Sequence, residues 1–152
     1  LMSAINYKKR NNYFLVICPT TVIDHWVDKL EKYTPEIFTQ PYHGIKRKPF
    51  IKTDNFNSLV VVTSYGILLR DLEFLTQYNW DLVILDEAHL IKNQKTRTYK
   101  SACKIKSEMR LCLTGTPLEN KPSAAIPIPP PLTLPTLEVA LEEVPPRVKK
   151  NG

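Results

Sequence analysis

The sequence predicts an α/β fold, a parallel sheet covered by helices on both sides. Three observations carry this expectation. Four short runs are apolar at nearly every position rather than at alternate ones, which marks strands buried on both faces. The segments between them repeat their apolar residues at helical spacing. The two kinds of segment alternate along the chain, and alternation calls for crossover connections between parallel strands.

Taken in order, residues 1–7 read as the tail of a helix whose start is missing. Residues 13–18 (YFLVIC) form the first strand. Ile23, Trp26, Val27, Leu30 and Tyr33 then fall on one helix face, with Thr20 or Thr21 placed to cap its start and Pro35 beyond its end. Trp26, on that apolar stripe, reads as core. Residues 59–63 (LVVVT) form the second strand, and residues 65–76 a helix carrying Ile67, Leu68, Leu69, Leu72 and Leu75. Residues 80–86 are the third strand, residues 98–106 a short basic helix, and residues 111–113 a brief fourth strand.

Beyond Asn120 the character changes. Eight of the 13 prolines lie in the last 32 residues. Proline removes amide donors and fixes φ, so this tail is expected to be irregular or polyproline-like, with at most a turn or two of helix over residues 136–144. The expected organisation is a domain over residues 1–120 and a separate, disordered or foreign tail over residues 121–152.

The net charge of +6 favours polyanionic partners, although a merely solvated basic surface has the same composition. Cys18, Cys103 and Cys112 are odd in number and form no C-x-x-C pair, so no disulfide framework or zinc site is read and a reducing, intracellular setting is expected. No apolar run approaches the ~18 residues needed to span a bilayer, so no membrane partner is expected.

The most informative stretch is D-L-V-I-L-D-E-A-H, residues 81–89. An apolar strand ends in two adjacent acids, then a small residue and a histidine. Ligands of open parallel sheets bind beyond the carboxyl ends of the strands. One carboxylate there can hold a divalent cation through its waters, and a second can orient and deprotonate water. The bland alternative is that Asp86 and Glu87 simply open the next helix, where acids complement the dipole.

Specificity comes from order. Asp86-Glu87-Ala88-His89 is followed by Leu90-Ile91-Lys92-Asn93 and, one helix later, by L-T-G-T-P-L-E-N at residues 113–120. Upstream stand L-V-I-C-P-T-T at residues 15–21, with Trp26, and V-V-T-S-Y-G at residues 61–66. Together these resemble the Swi/Snf branch of the superfamily-two helicases over about residues 1–120. The resemblance implies a RecA-like (P-loop NTPase) first lobe of a DNA-dependent ATPase, a translocase on double-stranded DNA that remodels nucleoprotein. Its cofactors in the intact parent would be ATP and Mg²⁺, and its setting the bacterial nucleoid or cytoplasm, or the nucleus.

The resemblance also implies roles. Asp86 would hold Mg²⁺ through water and Glu87 would activate the attacking water. His89, Thr114, Gly115 and Thr116 would couple nucleotide state to movement. Pro19, Thr20, Thr21, Thr63, Ser64, Tyr65, Lys92 and Asn93 would lie in DNA-facing motifs. Such residues hold phosphates without reading sequence, as a translocating motor requires. Each has a plainer alternative: Thr20 and Thr21 as helix caps, Gly115 as a turn, His89 as an ordinary helix residue. Lys46, Arg47 and Lys48 add a basic cluster that serves equally as a solvated loop.

One departure is large. The family opens this lobe with a strand, a G-x-x-x-x-G-K-[ST] loop and a helix, and none of the four glycines here stands in that pattern. The expectation is an N-terminally truncated lobe that binds no nucleotide and hydrolyses no ATP alone, with exposed sheet edges that bring self-association or marginal stability. Two other readings stand beside it. One is a non-catalytic nucleic-acid-binding module. The other is an interaction protein using Pro127-Ile128-Pro129-Pro130 as a P-x-x-P ligand.

Overall fold

The computed structural model describes residues 12–50 and 58–115. The helix tail read in residues 1–7, Thr116 and the whole proline-rich tail lie outside the described residues.

Five parallel strands form one sheet: β1 (Asn12–Cys18), β2 (Phe38–Pro41), β3 (Ser58–Ser64), β4 (Trp80–Leu85) and β5 (Ser107–Cys112). Their spatial order is β2-β3-β1-β4-β5. Pairing is in register over the whole of β1, from Asn12 opposite Ser58 to Cys18 opposite Ser64. Helix α1 (Ile23–Tyr33) follows β1; α2 (Tyr65–Arg70) and α3 (Leu72–Thr76) follow β3; α4 (Arg97–Lys104) joins β4 to β5.

Alternate side chains of the central strands feed two separate cores. Leu15, Ile17, Val61, Val83 and Leu85 pack with Ile67, Leu68, Leu75 and Ala102 of α2, α3 and α4. Phe14, Val16, Cys18, Val60, Val62, Leu82 and Ile84 pack with Ile23 and Leu30 of α1. This is why the strands read as apolar at every position. The crossover toward the β2 edge carries its helix on one face and those toward the β5 edge on the other, as right-handed connections require. β1 and β4 are neighbours whose following helices go to opposite faces, so a crevice opens at their carboxyl ends.

Several expected elements differ in detail. β2 was not anticipated. β5 begins at Ser107, four residues before the expected start, and β4 ends at Leu85, so Asp86 stands just beyond the strand. The single helix expected over residues 65–76 is two helices broken at Asp71, which has φ −113° and ψ 28°. Neither threonine caps α1 through its side chain: Thr20–Val22 form a 3-10 turn, and the N-cap position is Val22. Instead of opening a helix, Asp86 and Glu87 precede a 3-10 turn, Ala88–Ile91.

Candidate nucleotide and nucleic-acid site

The turn after β4 is fixed by its own backbone and by both neighbouring strand ends. The Asp86 amide donates to the Ile17 carbonyl at 2.8 Å, continuing the β1 ladder one residue past the strand. The Leu113 amide donates to the Leu85 carbonyl at 2.9 Å, and the Ala88 amide to the Leu113 carbonyl at 2.8 Å. The chain after β5 is thereby pinned against the two acids. Glu87 takes up a left-handed conformation, φ 52°, which lets the chain reverse sharply enough for the Ala88 amide to reach Leu113.

The side chains follow from this frame. Asp86 Oδ1 accepts the Glu87 amide at 2.9 Å, and Oδ2 accepts the Trp26 indole N–H at 2.9 Å. Glu87 Oε2 lies 3.0 Å from His89 Nδ1, and Thr114 Oγ1 lies 3.5 Å from the same nitrogen. A methyl group at Gly115 would sit 3.3 Å from Glu87 Oε1, so glycine here leaves room for the carboxylate. The structure thus brings Asp86, Glu87, His89, Thr114 and Gly115 together.

The DNA-facing candidates divide. Thr20 and Thr21 are exposed on the 3-10 turn behind Pro19, and Lys92 and Asn93 are exposed after Ile91. Asn93 is also structural, since its Oδ1 accepts the Lys95 amide at 3.0 Å and its carbonyl accepts the Thr96 hydroxyl at 2.8 Å. The hydroxyls of residues 63–65 are engaged internally. Thr63 donates to the Tyr42 carbonyl at 2.7 Å, Ser64 caps α2 by accepting the Ile67 amide at 3.3 Å, and Tyr65 donates to the Asp86 carbonyl at 2.6 Å. Within the basic cluster, the Arg47 guanidinium is held bidentately by Asp71 at 2.5 and 2.6 Å, while Lys46 and Lys48 are exposed.

Burial, and after it the charge of Asp86, pushes the Cys18 thiol up to about 12 and raises the Tyr65 hydroxyl well above its ordinary value. Tyr65 therefore stays protonated, and a donor, throughout the neutral range. All three cysteines are free thiols.

Trp26, which its place on the apolar helix stripe marks as core, packs half-buried against that core and also bonds to Asp86, a contact the stripe does not reveal. The available signal was its indole N–H, which seeks an acceptor when buried. Beside that bond lies an open groove of ≈ 490 Å³, lined by Trp26, Leu30, Ile84, Leu111 and Leu113 together with Asp86. Among the described residues no helix covers this part of the sheet.

Comparison with known proteins accords with this geometry. The profile of the SNF2-related domain family matches residues 1–128. The chain belongs to that family. It is 35% identical over 109 residues to the TATA-binding protein-associated factor BTAF1 of Arabidopsis thaliana, covering 70% of this chain and 5% of that protein. It is 37% identical over 117 residues to the DNA excision repair protein ERCC-6-like of Danio rerio, covering 72% of this chain and 8% of that one. Among solved structures, the Sulfolobus solfataricus SWI2/SNF2 ATPase core in complex with dsDNA superposes with a TM-score of 0.61 at 36% identity, covering 76% of this chain and 23% of that one. The fold is thus part of the RecA-like first lobe of a SWI2/SNF2 core, and the chain spans a small fraction of the relatives it matches.

The SNF2 family uses ATP and Mg²⁺, and the donor set can be tested against that cation. Among the described residues no three His, Cys, Asp or Glu side chains converge as a metal cage. Two adjacent half-buried carboxylates fit a cation bound mainly by phosphates and water, which is the habit of Mg²⁺.

Proposed function

We propose that this chain is a portion of the first motor lobe of an ATP-dependent translocase on double-stranded DNA that remodels protein–DNA complexes. The observation that carries the reading is the position of Asp86 and Glu87 beyond β4. They sit at a crevice between oppositely directed crossovers and are pinned through Leu113 to the Thr114-Gly115 segment. A bound Mg²⁺ would neutralise nucleotide phosphates beside Asp86. Asp86 keeps its carboxylate fixed between two protein donors. Glu87, paired with His89, is placed to accept a proton from water. His89 also lies within reach of Thr114, so displacement of the β5 end would disturb Glu87.

On the nucleic-acid side, the exposed Thr20 and Thr21 hydroxyls, with Lys92 and Asn93 on the same edge of the sheet, suit phosphate contacts. Residues 63–65 support this edge from within. In this reading the groove beside Trp26 is where the phosphate-loop strand and helix of the complete lobe pack, because a right-handed crossover from beyond β5 to β1 lands on the α1 face. The domain ends near Asn120, the chain works in a reducing intracellular setting, and its other partner is a second copy reached through an outer strand.

The test is duplex binding against ionic strength. Lys92 is the one cation among these contacts, so log affinity is predicted to fall against log salt with a slope of about −1. Replacing Thr20 and Thr21 together by alanine weakens binding by roughly tenfold, about 1.4 kcal/mol. A chain with no measurable affinity for duplex DNA at low salt would refute the reading.

A further inference from the structure

Asp86 is gripped from both faces of the sheet by residues on the two segments that carry the DNA-facing motifs. From the α1 face, Trp26 donates its indole N–H to Oδ2 at 2.9 Å. From the opposite face, Tyr65, the first residue of α2, donates its hydroxyl to the Asp86 carbonyl at 2.6 Å. The remaining carboxylate oxygen accepts the Glu87 amide, and the Asp86 amide is tied to Ile17. Trp26 lies one turn into the helix that follows the exposed Thr20 and Thr21. Tyr65 follows Thr63 and Ser64 directly.

We infer that Trp26 and Tyr65 are positioning residues that carry the occupancy of the DNA-facing turns to the Asp86 carboxylate. The inference rests on the DNA-binding reading above. The physical basis is the steepness of a hydrogen bond with distance. At 2.9 Å the indole fixes one carboxylate oxygen, and a shift of α1 by ~0.5–1 Å carries the pair past bonding distance. A carboxylate then turns about a single soft torsion, and Oδ2 changes from a protein-bound acceptor to one open to water or cation. Tyr65 holds the main chain of Asp86 while this happens, so movement is confined to the side chain. A Trp serving only as core would show no such link: its N–H would bond to any nearby carbonyl, as Trp80 bonds to the Leu75 carbonyl at 3.1 Å.

The test uses the 152-residue chain labelled with ¹³C and ¹⁵N. Without DNA, Asp86→Asn shifts the Trp26 indole resonance and leaves that of Trp80 in place, and Trp26→Phe shifts the Asp86 carboxyl resonance. On titration with duplex DNA, the Trp26 indole and Asp86 carboxyl resonances move together and saturate together. In Trp26→Phe the Asp86 carboxyl response is lost while the duplex is still bound. Tyr65→Phe, which removes one oxygen and keeps the ring, alters the response of the Asp86 carbonyl carbon and keeps the inference testable if the tryptophan variant fails to fold. Duplex binding that leaves Asp86 unmoved, or moves it equally in Trp26→Phe, overturns this inference and spares the DNA-binding reading. Absence of duplex binding overturns both.

Discussion

Glu87 stands at φ 52°, a conformation that costs a residue with a Cβ about 1 kcal/mol or more. The cost is local and the cause is visible: the reversal delivers the Ala88 amide to Leu113 and sets the carboxylate beside His89. Asparagine tolerates this region better, so Glu87→Asn is expected to raise stability by roughly 0.5–1 kcal/mol in urea denaturation while removing the proposed base. A loss of stability would mean the turn is not strained. Arg110 is the converse case, a nearly wholly buried guanidinium on β5. It donates Nη1–H to the Ala102 carbonyl at 2.7 Å and Nη2–H to the Ile105 carbonyl, closing the end of α4, while its Nε finds no partner among the described residues. Burial lowers its pKa from the ordinary arginine value. Lysine cannot reach both carbonyls with one nitrogen, so Arg110→Lys should cost about 2 kcal/mol by the same denaturation.

At the scale of elements, the break between α2 and α3 has an electrostatic cause. Asp71 is drawn to Arg47 and accepts the Tyr42 hydroxyl at 2.7 Å, which ties the loop after β2 to the helix junction. The Arg47 hydrogen bond, with help from Tyr42, holds the Asp71 carboxyl below its ordinary value of 3.8. A depressed folded-state pKa stabilises above the unfolded value, near pH ~4, and is lost as pH falls through the folded value. Asp71→Asn should therefore lower stability at neutral pH and flatten its decline between pH ~5 and ~2, read from thermal melts across that range. An unchanged acid limb would show that the pair is not coupled to folding. This break was hidden in the sequence because Leu68, Leu72 and Leu75 keep helical spacing across it. β2 was hidden because four residues with two exposed positions and a proline resemble a loop. The buried strands were legible because both of their faces are apolar. Asp86, Glu87 and Thr114 were legible as motif residues, whereas the Trp26–Asp86 bond arises only when α1, packed mainly over β2 and β3, brings Trp26 beside the end of β4, a pairing no local pattern encodes.

For the molecule as a whole, topology gathers the candidate residues on one edge. All the described strands are parallel, so their carboxyl ends face the same way, and the segments after β1, β3 and β5 reach the turn around Asp86. No G-x-x-x-x-G-K-[ST] string occurs in the 152 residues. The chain alone is accordingly expected to show no ATP turnover with or without duplex DNA, measured as phosphate release; DNA-stimulated turnover would contradict this. β2 and β5 are the outer strands of the described sheet, and the apolar groove adjoins β5. Concentration-dependent self-association in sedimentation is the expected consequence, and a strict monomer would argue against it. The most direct test of the account is an amide chemical-shift map of the labelled chain with duplex DNA at low salt. The account predicts perturbations at Thr20, Thr21, Lys92 and Asn93, spreading inward to Asp86 and Thr114. Perturbations confined to the opposite edge, around Asn12, Trp80 and Ser107, would contradict it.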